Sequence, residues 1–271
     1  MIGFYIYLVR SEYIAHYSNV YYIKCVSYGM MHIYITETTM CEIYGFCGNK
    51  CISLNQYTNK FWSHAAVHKD GFGYYLVDNN DYFVSKDSAM DCLSQLKNKN
   101  FRSKLALCHI RFKTHGPTAI ENCHPFIKKD IHGVEWSLIH NGYIDDTLYM
   151  DALNEFQSGE TDSERVLLSI VETVNNIYEH AWVDNHEEMM QFIYSAIEKT
   201  IQDISYLGKV NLVFTDSLTN NMYVYMNSPS LYYLVTETGI HISTTKLSDE
   251  NWLSVPRNKL HIFNNGDCVD Y

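Results

Sequence analysis

From residue 41 onward, short runs of apolar residues alternate with polar or glycine-containing turns, and this pattern predicts β-strands. The first runs are rich in aromatic, branched and aliphatic residues, which favour strands. They cover residues 41–48, 72–78, 105–112 and 136–140. Later runs, separated by Asn, Ser, Pro and Gly turns, predict further strands that begin near residues 211, 222, 231, 239 and 259.

Three other stretches carry apolar residues at the spacing of an α-helix, namely 89–96, 166–177 and 189–204. Strands that are followed by helices and then by more strands favour a layered α+β fold. Because no repeat, Gly/Ser linker or low-complexity block interrupts residues 41–271, we predict a single domain there.

Residues 1–40 differ from the rest of the chain. They carry few charged residues and show no sustained helical or strand period. We interpret them as a leader, a propeptide or a mis-assigned start, since translation could also begin at Met40. An ordinary N-terminal extension is the simplest alternative.

Composition and charge exclude several classes of partner. The 271 residues are 46% hydrophobic, enough for a packed core, and 31 acidic against 20 basic residues give a net charge of -11. Nucleic acids and anionic membranes are therefore not expected as partners. No apolar run approaches the roughly 18 residues of a membrane span. Eight irregularly spaced cysteines without a secretory signal predict reduced thiols and a cytoplasmic location.

The segment LALCHIRF at 105–112 places polar side chains in an otherwise apolar strand. Alternation along a strand puts Leu107, His109 and Arg111 on one face. An arginine close to a core needs an anion, and a carboxylate bound through two parallel hydrogen bonds is its natural partner. We therefore expect Arg111 to pair with a carboxylate.

The strand in WSLIHNG, residues 136–142, ends in two residues that allow two interpretations. The side-chain amide of Asn141 beside the backbone N–H of Gly142 could form an oxyanion hole. Asn-Gly is also the strongest short signal for a hairpin turn, and these two residues alone favour the turn.

Thr161 and Glu164 have the spacing of a capping box directly ahead of the second helical stretch. Capping leaves Asp162 free to meet a cation such as an ammonium group.

Adjacent cysteine and histidine residues at 108/109 and 123/124 raise the question of zinc. Neighbouring side chains of a strand point to opposite faces and no Cys-x-x-Cys spacing occurs, so we predict neither a metal site nor a cofactor.

Cys41 directly follows Met40 at the start of the first predicted strand. A single cysteine is most often a small core residue. Removal of Met40 would instead place a thiol and a free α-amine on the same residue.

Taken together and in this order, the motifs resemble class II glutamine amidotransferase domains, which are N-terminal nucleophile hydrolases. The matching segments are MCEIYG at 40–45, DGFG at 70–73, HIRFKTHG at 109–116, HPF at 124–126, HNG at 140–142 and TDSE at 161–164. The chain looks most like the stand-alone subgroup that begins Met-Cys-Glu, and the resemblance covers about residues 40–271. Phe112 stands where the sugar-phosphate amidotransferases usually have tryptophan.

The resemblance implies a fold and a nucleophile. The fold is an α+β, four-layer αββα sandwich of two stacked antiparallel sheets. Cys41, once it is N-terminal, would attack the γ-carbonyl of glutamine, with its own α-amine as general base. Asn141 and Gly142 would hold the oxyanion.

The same resemblance assigns the substrate-binding residues. Arg111 would bind the α-carboxylate of the substrate and Asp162 its α-ammonium group, while Thr114 and His115 would line the pocket. A γ-glutamyl thioester would be hydrolysed to glutamate, and a separate synthase or acceptor subunit could receive the ammonia. Two other functions stay open. One is hydrolysis of a larger γ-glutamyl amide or peptide, and the other is a non-catalytic γ-glutamyl-binding module whose pocket is blocked by residues 1–40.

Overall fold

The computed structural model describes residues 5–9, 12–16, 41–66, 70–79, 81–87, 91, 93–113, 116–145, 151–182 and 185–271. The chain separates into two compact units, Met1–Met40 and Cys41–Tyr271. In the first unit, β1 (Tyr5–Val9) pairs with β2 (Glu12–His16) in antiparallel orientation. The sequence pattern of residues 1–40 did not predict these strands.

The second unit contains both helices and strands. Its strands are β3 (Glu42–Ser53), β4 (Phe72–Leu76), β5 (Asp81–Ser85), β6 (Arg102–Ile110), β7 (Phe126–Lys129), β8 (Glu135–His140), β9 (Tyr143–Ile144), β10 (Gly208–Lys209), β11 (Asn211–Asp216), β12 (Met222–Met226), β13 (Tyr232–Thr236), β14 (Gly239–Ser243), β15 (Leu253–Ser254), β16 (Leu260–Asn264) and β17 (Asp267–Cys268). Its α-helices are α1 (Asn55–Ser63), α2 (Leu93–Asn98), α3 (Asp162–His180) and α4 (His186–Ser205). Short 3-10 helices lie at His64–Ala66, Val77–Asn79, Ile120–Asn122 and Asp151–Phe156. No helix within the described ranges combines the length and hydrophobicity that a bilayer crossing requires.

The strands of the second unit form two large antiparallel sheets and a small ladder. One large sheet has the order β15-β13-β14-β3-β6-β4-β5, and the other has the order β17-β16-β12-β11-β8-β7. The small ladder joins β9 to β10. We call the two large sheets the first sheet, which contains β3, and the second sheet.

Three apolar clusters show that these elements are stacked in four layers. One cluster combines α1 and α2 with the first sheet, and another combines α3 and α4 with the second sheet. The cluster between them joins the inner faces of the two sheets, with Ile43, Leu105 and Leu107 from one and Ile139, Val213 and Val224 from the other. Two sheets packed face to face with helices outside each confirm the predicted α+β, αββα sandwich.

The strand that follows Cys41 is buried on both faces. Tyr44 and Phe46 of β3 pack toward the helices, while Ile43 and Cys47 pack toward the second sheet. Along both edges β3 is hydrogen-bonded, to β14 on one side and to β6 on the other. Each fully buried large apolar side chain stabilises the fold by about 1.5–3 kcal/mol. Cys41 therefore lies directly ahead of a strand that is held along both edges and on both faces.

The sequence predictions for α3 and α4 are confirmed. Of the predicted helical stretch 89–96, residues 88–90 lie outside the described residues, and α2 spans Leu93–Asn98. Helix α1 was not predicted, because its buried face includes Tyr57, Phe61 and Trp62, aromatic residues that favour strands by propensity.

Candidate active site

Cys41 lies directly ahead of β3, and its thiol is hydrogen-bonded to the backbone of Phe112. The thiol donates a hydrogen bond to the Phe112 carbonyl oxygen at 3.2 Å, and the Phe112 N–H lies 3.3 Å from the sulfur. Burial raises the pKa of the Cys41 thiol to about 11, although the Phe112 hydrogen bond and the charge of Arg111 oppose the shift. A thiol in this state is mostly protonated at neutral pH and is a weak nucleophile.

The side-chain amide of Asn141 points toward Cys41. Its Nδ2 donates to the main-chain carbonyl oxygen of Cys41, and its Oδ1 accepts a hydrogen bond from the Ser230 hydroxyl at 3.2 Å. The backbone N–H of Asn141 donates to the Asn211 carbonyl oxygen at 2.9 Å. With both ends of the amide bonded, the N–H group is held on the side of the predicted nucleophile.

Gly142 lies where the chain passes from the second sheet to the small ladder. Strand β8 pairs with β7 and β11, whereas β9 pairs with β10, so the Asn-Gly pair is not the turn of a β-hairpin. A Cβ atom at residue 142 would lie 1.9 Å from the Lys209 carbonyl oxygen and 2.3 Å from His140 Nε2. Only glycine permits this close approach.

Arg111 and Asp162 are both buried, each 3% exposed, and both are fixed by main-chain groups. Nη1 of Arg111 donates to the carbonyl oxygens of Pro117 at 3.1 Å and Asp70 at 3.4 Å. Asp162 is the first residue of α3, and its carboxylate accepts hydrogen bonds from the N–H groups of Ile144 at 2.7 Å and Ser163 at 2.9 Å. Two opposite charges are thus held in fixed orientations.

These residues surround one small pocket. It is lined by Cys41, Arg111, Phe112, His124, His140, Gly142, Thr161, Asp162 and Ser163. The pocket volume is about 20 Å³, which is room for about one water molecule. Of the predicted site residues, the pocket brings together Cys41, Arg111, Gly142 and Asp162, and Asn141 contacts Cys41 directly. Thr114 and His115 lie outside the described residues.

The sequence analysis assigned no role to two histidines of this pocket. His140 Nε2 donates to the Lys209 carbonyl oxygen at 3.0 Å, and the Ser163 hydroxyl lies 2.9 Å from Nδ1. Among the described residues, neither ring nitrogen of His124 has a hydrogen-bond partner. Burial lowers the pKa of both histidines, so that both are neutral at physiological pH. The signal available in the sequence was that each histidine is the first residue of a matching motif, HPF for His124 and HNG for His140.

The loop ahead of Asp162 is anchored by the residues of the predicted capping box. Thr161 caps α3 as predicted, because its hydroxyl accepts the N–H of Glu164 at 3.3 Å. The Glu164 carboxylate instead accepts the N–H groups of Ser158 and Gly159, both at 2.8 Å, and forms an ion pair with Lys128 at 2.8 Å. Glu164 therefore anchors the loop ahead of the helix instead of completing the capping box.

The variant Glu164→Gln is expected to lower the free energy of unfolding by about 1.5–3 kcal/mol at neutral pH, as for a hydrogen bond to a charged group. Burial raises the pKa of Glu164, but the Lys128 ion pair and the two N–H donors outweigh it and hold the pKa below its ordinary value. The stabilisation is therefore present above the unfolded-state pKa of about 4.3 and is lost as the pH falls through the lower folded-state pKa.

Urea unfolding at neutral and acidic pH measures this effect, and Glu135→Gln is the matched control. Glu135 pairs with the exposed Lys129 at 3.4 Å, so its replacement is expected to cost less than about 1 kcal/mol. Equal losses in the two variants, or a loss in Glu164→Gln that persists at low pH, would contradict the assignment.

Comparison with known proteins identifies relatives over most of the chain. Residues 40–239 match the family model of the class II glutamine amidotransferases. The uncharacterized protein MJ1515 of Methanocaldococcus jannaschii is 25% identical over 264 residues, which cover 85% of this chain and 71% of that protein. A Haemophilus influenzae protein provisionally named a glutamine amidotransferase is 25% identical over 272 residues, which cover 89% of each chain.

A solved structure supports the fold. The glutamine phosphoribosylpyrophosphate amidotransferase of B. subtilis superimposes with a TM-score of 0.61 at 15% identity, covering 84% of this chain and 48% of that enzyme. At this identity the likeness concerns the fold alone, and it agrees with the sandwich described above. Because the family model spans residues 40–239, which is more than half of the sequence, the chain belongs to the class II glutamine amidotransferases, enzymes of the N-terminal nucleophile type.

Proposed function

We propose that this enzyme hydrolyses the γ-amide of glutamine to glutamate and ammonia. The observation that carries the proposal is the pocket itself, in which a cysteine lies beside one buried cation, Arg111, and one buried anion, Asp162. A free α-amino acid presents a carboxylate and an ammonium group on the same carbon. Arg111 can bind the carboxylate through paired hydrogen bonds, and Asp162 can bind the ammonium group.

The reaction requires an active form that begins at Cys41. In that form the α-amine of Cys41 takes the thiol proton through a bridging water molecule, and sulfur attacks the γ-carbonyl carbon. Asn141 Nδ2 and the Gly142 N–H stabilise the oxyanion. The tetrahedral intermediate then collapses and expels ammonia, which carries away the transferred proton. A γ-glutamyl thioester remains. Water then attacks this thioester and releases glutamate and the thiol.

Three finer assignments belong to the same proposal. Residues 1–40 are absent from the active form, either because translation begins at Met40 or because a propeptide is cleaved. A separate synthase or acceptor subunit receives the ammonia. The enzyme works in the cytoplasm, where its cysteines stay reduced.

The test compares substrates that share the γ-glutamyl group. Glutamate release by the form that begins at Cys41 is measured with glutamine, γ-glutamyl methylamide and a γ-glutamyl dipeptide, and Cys41→Ala is the control. We expect the highest kcat/KM for glutamine and no release by the control. A comparable or higher kcat/KM for either larger amide would replace glutamine hydrolysis with γ-glutamyl amide or peptide hydrolysis as the function.

A further inference from the structure

Asn122 is a buried polar residue, 1% exposed, at the end of the 3-10 helix Ile120–Asn122. Its side-chain amide is bonded at both ends. Nδ2 donates to the carbonyl oxygen of Pro117 at 3.0 Å, and Oδ1 accepts the backbone N–H of Glu160 at 2.8 Å. One side chain thus joins two segments that are distant in sequence.

The first of these segments orients Arg111. The Pro117 carbonyl oxygen that accepts from Asn122 also accepts from Arg111 Nη1, at 3.1 Å. A carbonyl oxygen has two lone pairs, and here each of them faces a side-chain donor. By holding this carbonyl group, Asn122 fixes one of the acceptors that set the direction of the guanidinium group.

The second segment leads into Asp162. Glu160, whose N–H is bonded to Asn122, lies two residues ahead of Asp162, and α3 begins at Asp162 itself. The segment packs directly on the amide, because a Cβ atom at Gly159 would lie 2.4 Å from Asn122 Oδ1. Asn122 therefore also fixes the start of the helix that carries the Asp162 carboxylate.

We propose that Asn122 is a positioning residue that sets the separation of Arg111 and Asp162, and thereby makes the pocket selective for substrates that carry both an α-carboxylate and an α-ammonium group. This inference rests on the proposed roles of Arg111 and Asp162. The two charges of such a substrate sit on one carbon atom, so the two binding groups must keep a fixed distance. A misplacement of about 1 Å can reduce the rate roughly 10²-fold.

The variant Asn122→Ala tests the inference through ratios of kcat/KM. The substrates are glutamine, its α-carboxamide analogue, which lacks the carboxylate, and its deamino analogue, which lacks the ammonium group. Each ratio is independent of the amount of active enzyme, so a partly unfolded variant still gives a valid result. We expect the preference for glutamine over each analogue to fall at least about tenfold, mainly through KM, because each charge loses its aligned partner.

The matched control is Asn221→Ala. Asn221 is also buried, 2% exposed, and its amide donates to the Tyr194 hydroxyl at 2.8 Å and accepts from Asn264 Nδ2 at 2.7 Å. We expect this variant to lose stability and to keep both preferences. If Asn122→Ala keeps both preferences, or if Asn221→Ala loses them equally, the inference is wrong. A loss of only one preference would also overturn it, because Asn122 would then serve one segment alone.

Hydrogen exchange on the full-length chain tests the same link without catalysis. In Asn122→Ala we expect faster exchange in both segments, 118–122 and 158–161, with at least about a tenfold increase at the Glu160 amide. Faster exchange in one segment only would refute the link. The two proposals fail separately: a wild-type enzyme that releases no glutamate contradicts the proposed function, while the exchange rates still decide the role of Asn122.

Discussion

A chain that begins at Cys41 is expected to release glutamate from glutamine about 10²–10⁴-fold faster than a chain that retains Met40, which is the contribution of a positioned general base. With Met40 attached, the nitrogen of residue 41 is an amide and cannot accept a proton. Burial meanwhile holds the pKa of the thiol at about 11, so thiolate is scarce at neutral pH. Once residue 41 is N-terminal, its amine, with an ordinary pKa of about 7.7–8.0, can take the proton.

The same mechanism predicts how the rate of glutamate release changes with pH. The amine acts as a base only when it is unprotonated, so the rate of the Cys41 form should rise as the pH passes upward through about 7.7–8.0. Initial rates of both forms, each with N-terminal sequencing and a Cys41→Ala counterpart, measure the effect. Equal rates from the two forms would rule out the α-amine as the base.

Replacement of Gly142 by alanine is expected to lower kcat by about 10²–10³-fold, the loss that follows removal of one oxyanion donor. The new Cβ atom would meet the Lys209 carbonyl oxygen at 1.9 Å, a main-chain group that cannot rotate away. The loop must therefore shift, and the N–H of residue 142 moves with it. Because the same carbonyl oxygen accepts from His140, we also expect the free energy of unfolding to fall by about 1–3 kcal/mol, as in other overpacked sites.

The control for Gly142→Ala is Gly48→Ala, inside β3. A Cβ atom at residue 48 would also meet a main-chain carbonyl oxygen, that of Thr238, at 2.7 Å. Gly48 lies seven positions after Cys41 along the extended chain, roughly 20 Å away. Gly48→Ala should therefore lose stability without a change in kcat. A similar fall in kcat for both variants would show that general destabilisation, and not the oxyanion donor, explains the loss.

The sequence predicted those helices and strands whose buried face makes apolar residues recur at a regular spacing along the chain. Helices α3 and α4 each bury one face against the second sheet, so their apolar residues recur at helical spacing. In β6, Leu105 and Leu107 pack between the sheets whereas Ala106 and Cys108 pack toward the helices, as strand alternation predicts. Helix α1 was missed because its buried aromatic residues have the local preference of a strand.

At the candidate site, the sequence predicted only residues that belong to the matching motifs. Cys41, Arg111 and Asp162 line one pocket, and the chemical roles that the resemblance implies for them stay predictions. The contact of Asn122 with Glu160 could not be predicted, because it joins two loops whose meeting depends on how the whole sandwich packs. Periodicity describes one element at a time and carries no information about which loops meet.

The support of β3 on both edges and both faces has a consequence for the entropy of the reaction. In the form that begins at Cys41, the thiol and the amine belong to one residue directly ahead of a strand that is hydrogen-bonded along both edges. Neither group has to be recruited from a flexible loop when the substrate arrives. Reacting groups held in this way act as if at very high effective concentration, about 10⁵ M or more in well-oriented systems. The ordering of the proposed nucleophile and base is thus completed once, when the sheets fold, and is not repeated at each turnover.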